Sequence, residues 1–125
     1  MPWLIDGMNV IGSRPDGWWK DRDAAMARLV GQLELWAEGE DDDITVIFER
    51  QPRPAIVSEL IEVGHASRRG ADAGDDEIVH RLKAADDPED FTVVTSDKRL
   101  AGRVKAIGAA IVSSGEFLRR VDERT

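Results

Sequence analysis

The sequence contains no cysteine. Disulfides, thiolate zinc sites and thiol nucleophiles are excluded together, so any metal must be held by oxygen or imidazole. Imidazole is scarce too: His65 and His80 are the only histidines. Neither has a partner at ligand spacing, and a zinc site needs several good ligands. No apolar run approaches the roughly 18 residues of a membrane span. No basic segment leads into an apolar run and a small-residue cleavage site, so a cytoplasmic location is expected. A GxxxxGK[ST] phosphate loop is missing, which argues against a mononucleotide-binding domain. A phosphoacceptor receiver domain would need an Asp ending a middle strand, and Gly64-His65 follows Val63 instead. There is no linker, internal repeat or low-complexity tract.

What is present fits one domain spanning residues 1–125, because domains of roughly 100 to 150 residues can bury a core of their own. Hydrophobic residues make up 42% and charged residues 34%, a globular rather than disordered balance. The net charge of -8 argues at first against nucleic acid, since phosphate contacts need Lys and Arg. Its distribution changes that reading. The runs Glu38–Asp43 and Asp86–Asp90 hold nine acids and no base. Without them the formal balance turns slightly positive.

Strands and helices alternate. Trp3-Leu4-Ile5 reads as a buried strand running into a turn at Asp6-Gly7. Met26, Leu29, Val30, Leu33 and Trp36 fall at helical spacing between Asp21 and about Ala37, with Asp21 or Asp23 placed to cap the start. Ile44–Phe48 is β-branched and nearly continuous in apolarity, as in a strand covered on both faces of a parallel sheet. Ala55–Val63 is ambiguous: it fits a helical turn or two, while Leu60–Val63 fits a third strand. Asp75–Ala85 is a helix with acids in its first turn, and Phe91–Thr95 is a strand. Lys98–Ile107 is a helix closed by Gly108, Ala110–Val112 a last strand and Gly115–Val121 a last helix. This order predicts an α/β fold with a mainly parallel sheet between helices.

Three acidic sites occupy comparable places. Asp6 follows the first strand, Asp97 follows the Phe91–Thr95 strand, and Asp75-Asp76 opens a helix. In open parallel sheets ligands bind outside the carboxyl ends of strands, where strand order reverses. Gathered carboxylates repel one another and favour a neutralising cation; all-oxygen ligands suit Mg2+ or Mn2+. A bound cation of this kind can drive attack of water on a phosphodiester. Each position also has a plain structural reading: Asp6-Gly7 as a turn former, and Asp75, Asp76 and Asp97 as helix caps. Spacing alone does not separate the two.

The segments Leu4–Ile11, Ala73–Ile78 and Val93–Asp97, taken in order, resemble the NYN domains of the PIN-like superfamily, most of all the YacP-like branch. The resemblance implies a three-layer PIN-like sandwich with strand order 3-2-1-4-5. It implies a metal-dependent ribonuclease, with endonucleolytic hydrolysis of RNA as the expected reaction. Asp6, Asp75 and Asp97 would bind Mg2+ or Mn2+, with Asn9 orienting the site. Asp76 is the alternative to its neighbour, but Asp75 places Ile78 where the motif has its buried apolar residue. Lys98, Arg99 and Leu100 follow Asp97, so no fourth acid stands there and a second metal would be weakly held or absent. Ser96 is placed to hydrogen-bond to metal water or phosphate. The implied partner is RNA, with ribosome-associated mRNA, tRNA or rRNA among its forms; a homodimer stays open. The competing reading is a non-catalytic or weakly active RNA- or ribosome-binding module that keeps the acidic pocket.

In a parallel sheet, segments that follow strands lie at the site end and segments that precede them lie at the far end. Arg14, Arg50, Arg53, Lys98 and Arg99 follow strands, and Arg68-Arg69 precede the Asp75 helix, whereas both acid runs precede strands. The domain should therefore be basic around the mouth, with Arg14, Arg68, Arg69, Lys98 and Arg99 as substrate contacts, and acidic behind it. Any one of these bases could equally be solvated surface. Trp18-Trp19 lies between the first strand and the first long helix. There an indole could stack on an unpaired base or pack under the helix.

Overall fold

The computed structural model describes residues 2–70 and 72–124. Five strands, β1 (Trp3–Asp6), β2 (Ile44–Phe48), β3 (Glu62–His65), β4 (Thr92–Val94) and β5 (Ala110–Val112), form one sheet in the order β3-β2-β1-β4-β5. Every pairing is parallel. Strand side chains alternate between two cores, as the pleat requires. Ile5, Val46, Phe48 and Val94 enter one core; Leu4, Ile47 and Val93 enter the other.

Helices α1 (Gly7–Gly12), α2 (Arg22–Ala37) and α5 (Ser114–Arg124) cover the first face. Their apolar stripes meet there: Val10 and Ile11 from α1, Leu29, Leu33 and Trp36 from α2, Phe117 and Val121 from α5. Trp36 packs edge-on against Trp3 and Phe117, with ring centroids 5.1 and 5.0 Å away. Helices α3 (Ala73–Ala84) and α4 (Lys98–Ile107) cover the other face through Ile78, Val79, Leu82, Leu100 and Val104. This is the PIN-like sandwich and strand order that the resemblance implies.

Local differences from the sequence reading have physical causes. Asp6-Gly7 is no turn: α1 begins directly at Gly7. A Cβ at Gly7 would lie 2.6 Å from the Phe48 ring, so only glycine lets the chain bend over β2 this closely. Residues 55–60 form no helix, because Val57 and Leu60 have no core to face and stay exposed. The third strand starts later than Leu60, since its pairing sets Glu62 beside Thr45 and Gly64 beside Ile47. Thr92–Val94 is shorter than the predicted strand by Phe91 and Thr95. Trp18–Lys20 is a single 3-10 turn rather than open loop, and α5 runs past Val121 to Arg124. Among the described residues, no helix is long and apolar enough to cross a membrane.

Candidate active site

The strand order reverses at β1, which pairs with β2 on one side and with β4 on the other. Asp6 closes β1, and Thr95, Ser96 and Asp97 follow β4, so they stand at the switch point, the end of an open parallel sheet where ligands bind. Asp6 is buried to 7% exposure. It stands at the cap position of α1, yet its side chain makes no capping hydrogen bond. Instead Oδ2 accepts the Thr95 hydroxyl at 2.9 Å. Burial first, with the charges of Asp75 and Asp97 adding to it, pushes the Asp6 carboxyl up to about 6. Thr95 opposes the shift. So does the Asn9 backbone N–H, which lies near without reaching capping geometry.

Asp97 has a double position. Its Oδ1 caps α4 by accepting the Leu100 N–H at 3.0 Å, while its own N–H donates to the Thr95 hydroxyl at 3.1 Å. Thr95 thus ties the two strand-end aspartates together. Asn9, on α1, ties down the segment between them: its Oδ1 accepts the Ser96 N–H at 2.8 Å and the Ser114 hydroxyl at 2.6 Å. The Ser114 N–H donates to Ser96 Oγ at 2.9 Å, so the Ser96 hydroxyl faces the start of α5.

Asp75 and Asp76 part company on α3, as adjacent helical residues must, at about 100° per residue. Asp76 pairs with Arg103 at 3.0 Å and is well exposed. Asp75 is half-buried, and its carboxyl is raised by burial first and then by the charges of Asp97 and Asp72. Desolvated carboxylates that raise one another through space keep a local excess of negative charge, which a cation would relieve. All donors are oxygen, the set that suits Mg2+ or Mn2+. Among the described residues, no three acidic or imidazole side chains form a ready-made cage for an ion. The donor chemistry nevertheless fits a cation that keeps much of its water and takes only one or two carboxylates directly, as Mg2+ does.

The expected basic residues are distributed unevenly. Lys98 and Arg99 stand exposed on the first turn of α4, with Arg99 3.9 Å from Asp72. Arg68 and Arg69 line an open groove of about 840 Å3 together with Asp72, Asp76, Glu77 and His80. Arg14 is turned to Asp122 on α5, at 2.8 Å. Arg50 is held by Asp23 at 2.8 Å, and Asp23 also accepts the Arg53 N–H. His65 and His80 are exposed, away from the three aspartates' hydrogen bonds. A second groove, of about 650 Å3, lies at the far end between β2, β3 and α3 and includes none of the three aspartates.

The sequence reading missed Thr95 and Ser114. Thr95 did carry a signal, as a polar residue directly after the apolar pair Val93-Val94 and two positions before a carboxylate. Ser114 carried none.

The model of the YacP-like NYN domain matches residues 3–125. The chain belongs to this family. NYN domains are PIN-like, a ribonuclease group generally made up of nucleases that typically use divalent metals. Among solved structures, the YacP-like chain is similar to Rae1 (YacP) from Bacillus subtilis, with 22% identity and a TM-score of 0.81 over 99% of this chain and 75% of that one. A single-substitution mutant of the same Bacillus subtilis protein gives 21% identity and a TM-score of 0.80, over 98% and 76%. At these identities the likeness speaks for the fold. No curated protein matches the chain.

Proposed function

We propose that this NYN domain, acting as one unit over residues 1–125, is a metal-dependent endoribonuclease. The observation that carries the reading is the approach of Asp6, Asp75 and Asp97 at the switch point, where burial first, and the neighbouring carboxylates in addition, raise the carboxyls of Asp6 and Asp75. A carboxylate that only caps a helix is stabilised in its charged form, whereas the Asp6 side chain makes no capping bond.

Asp6, Asp75 and Asp97 would hold Mg2+ or Mn2+, which when bound would polarise a phosphate oxygen and acidify an attacking water. The chain's own residues set the stage. Thr95 holds Asp6 and the Asp97 backbone in one frame. Asn9 is a positioning residue that fixes Ser96, and through it the turn carrying Asp97. Lys98 and Arg99 offer charge to phosphates entering beside α4, Arg68 and Arg69 extend that path along α3, and Arg14 would join it only by leaving Asp122. The substrate class is RNA; mRNA, tRNA or rRNA on the ribosome are forms it could take, and the reaction belongs in the cytoplasm.

A second reading, an RNA- or ribosome-binding module with little turnover, draws on one observation: no three-ligand cage is preformed among the described residues. One experiment separates the two. Purified protein is incubated with single-stranded and with structured RNA in Mn2+, in Mg2+ and in EDTA. Internal cleavage that needs the cation and disappears in Asp97→Asn supports the enzyme. Binding without cleavage under every condition supports the module.

A further inference from the structure

Trp18 packs against the core, whereas Trp19 is exposed and serves neither the core nor the acidic site. Trp18 is half-buried against the α1–α2 core, close to Gly12, where a Cβ would lie 3.9 Å from its ring. The Arg22 guanidinium sits over it, 5.4 Å from the ring centroid, and Arg22 is itself held by Glu49 at 3.4 Å. Trp18 is thus fixed from three sides. Trp19 meets it edge-on, with centroids 6.0 Å apart and planes at 87°, and keeps 58% of its surface exposed. The core gains little from an indole left in water, since hydrophobic stabilisation scales with the area removed from it.

Its position is at the site end of the sheet. Asp6 immediately precedes α1, α1 ends at Gly12, and Trp18 packs near Gly12; six helical residues span about 9 Å. Trp19 therefore lies within a few nucleotides' reach of Asp6. Exposed Lys20 follows it directly, and both belong to one 3-10 turn. A rigidly seated, exposed indole beside a cation has the composition of a single-strand binding surface, where bases stack on aromatics while cations track the backbone.

We propose that Trp19 is a base-stacking subsite, which makes the substrate an RNA segment with unpaired bases flanking the cleaved bond. Duplex RNA is disfavoured because its bases are stacked on each other and cannot turn out onto the ring. This inference rests on the ribonuclease reading for the nature of the ligand. It adds which form of RNA is taken and which residue selects it.

The test measures RNA binding in Mn2+-free buffer and cleavage in Mn2+ for the parent protein, Trp19→Ala and Trp19→Phe. The RNAs are a single-stranded oligonucleotide, the same strand in a duplex, and a series with one abasic site moved along the strand. Trp19→Ala should weaken single-strand binding about 5- to 160-fold, the range of a lost base stack, while Trp19→Phe keeps most of it. The salt slope should not change, because a stacked base releases no counterions. One abasic position should bind the parent as weakly as the full RNA binds Trp19→Ala, and should be insensitive to that substitution. The melting temperature should stay within a degree or two, since the side chain is exposed. Equal binding by Trp19→Ala and parent, or a loss that no abasic position reproduces, overturns the subsite while leaving the ribonuclease reading intact. A parent protein that neither binds nor cleaves any of these RNAs overturns both.

Discussion

The Thr95 hydroxyl donates to Asp6 Oδ2 at 2.9 Å across the junction of β1 and β4. The same oxygen accepts the Asp97 N–H at 3.1 Å, so one buried side chain sets the spacing of two strand-end carboxylates. Its hydrogen bond also works against the burial that raises Asp6. Thr95→Val keeps the shape and removes the hydroxyl. The Asp97 N–H is then left without this acceptor, at a cost of about 1–3 kcal/mol, and the Asp6 carboxyl rises further. RNA cleavage by Thr95→Val should fall and its acidic limb should move to higher pH, if Asp6 acts as a carboxylate. A pH–rate profile with an unmoved limb would separate Asp6 from the chemistry.

Asp6 should make the metal-free protein less stable as pH rises. Its folded value of about 6 lies above an unfolded value near 3.9, so the folded state binds the proton more tightly. That stabilisation is fully present below about pH 4 and is lost as pH climbs through 6, amounting to at most about 3 kcal/mol. Asp75 is raised as well and adds in the same direction. Asp23, lowered by its hydrogen bonds to Arg50 and Arg53, works the other way and at lower pH. Asp6→Asn should raise the melting temperature near pH 7 and flatten its fall between pH 4 and 7. Mn2+ should stabilise the parent near pH 7 and leave Asp6→Asn nearly unchanged. Identical pH slopes in parent and mutant would remove Asp6 as their source.

Asp97→Asn tests whether the cap or the charge matters. Asparagine caps helices about as well as aspartate, so the bond to the Leu100 N–H survives and α4 should stay folded. Cleavage should nevertheless drop by several orders of magnitude, because a cation loses a charged ligand. Near-parental turnover with an unchanged melting curve would return Asp97 to a purely structural role.

How much of this the sequence could reveal differs by element. The β-branched, largely apolar runs at Ile44–Phe48 and Thr92–Val94 were legible because both faces of these strands are largely buried. Lys98–Ile107 was legible because its apolar spacing ends at Gly108, whose φ of 106° suits the cap. By contrast, α1 has six residues and a glycine at each end; it exists because Val10 and Ile11 are buried against distant parts of the chain. Within the site, Asp6 and Asp97 could be found at strand ends. The ties through Thr95, Asn9 and Ser114 join residues about a hundred positions apart, which no local pattern in the sequence reveals. Neither could the sequence tell that Arg14 and Arg50 spend their charge on Asp122 and Asp23.

Asp75 and Asp76 should behave as different residues despite being neighbours. Asp75 lies in the field of Asp97 and Asp6, while Asp76 is exposed and pairs with Arg103. Asp75→Asn should therefore abolish both cleavage and the stabilisation by Mn2+. Asp76→Ala loses only a surface ion pair, worth up to about 1 kcal/mol, and should cleave within a few-fold of the parent. If Asp76→Ala is the more damaging change for Mn2+ binding, the helix presents its other face to the ion.

The net charge of -8 should not prevent RNA binding, because the charge is segregated along the strands. The runs Glu38–Asp43 and Asp86–Asp90 enter β2 and β4 at their amino ends, whereas Asp6 and Asp97 stand at the carboxyl ends of the parallel sheet. The five residues of β2 alone separate the two ends by about 15 Å, well beyond the screening length of about 8 Å at physiological salt. Acids at the far end therefore repel an incoming phosphate weakly, and local bases decide. Arg68 and Arg69 are exposed in the groove beside α3, so replacing both by alanine should weaken binding of every RNA and make the salt dependence shallower by up to about two phosphate contacts. Neutralising Asp41 and Asp43 should alter affinity far less. Binding isotherms against salt for the two double mutants compare the ends directly. Equal effects, or a larger one from the acidic run, would mean that RNA does not approach from the Asp6 side.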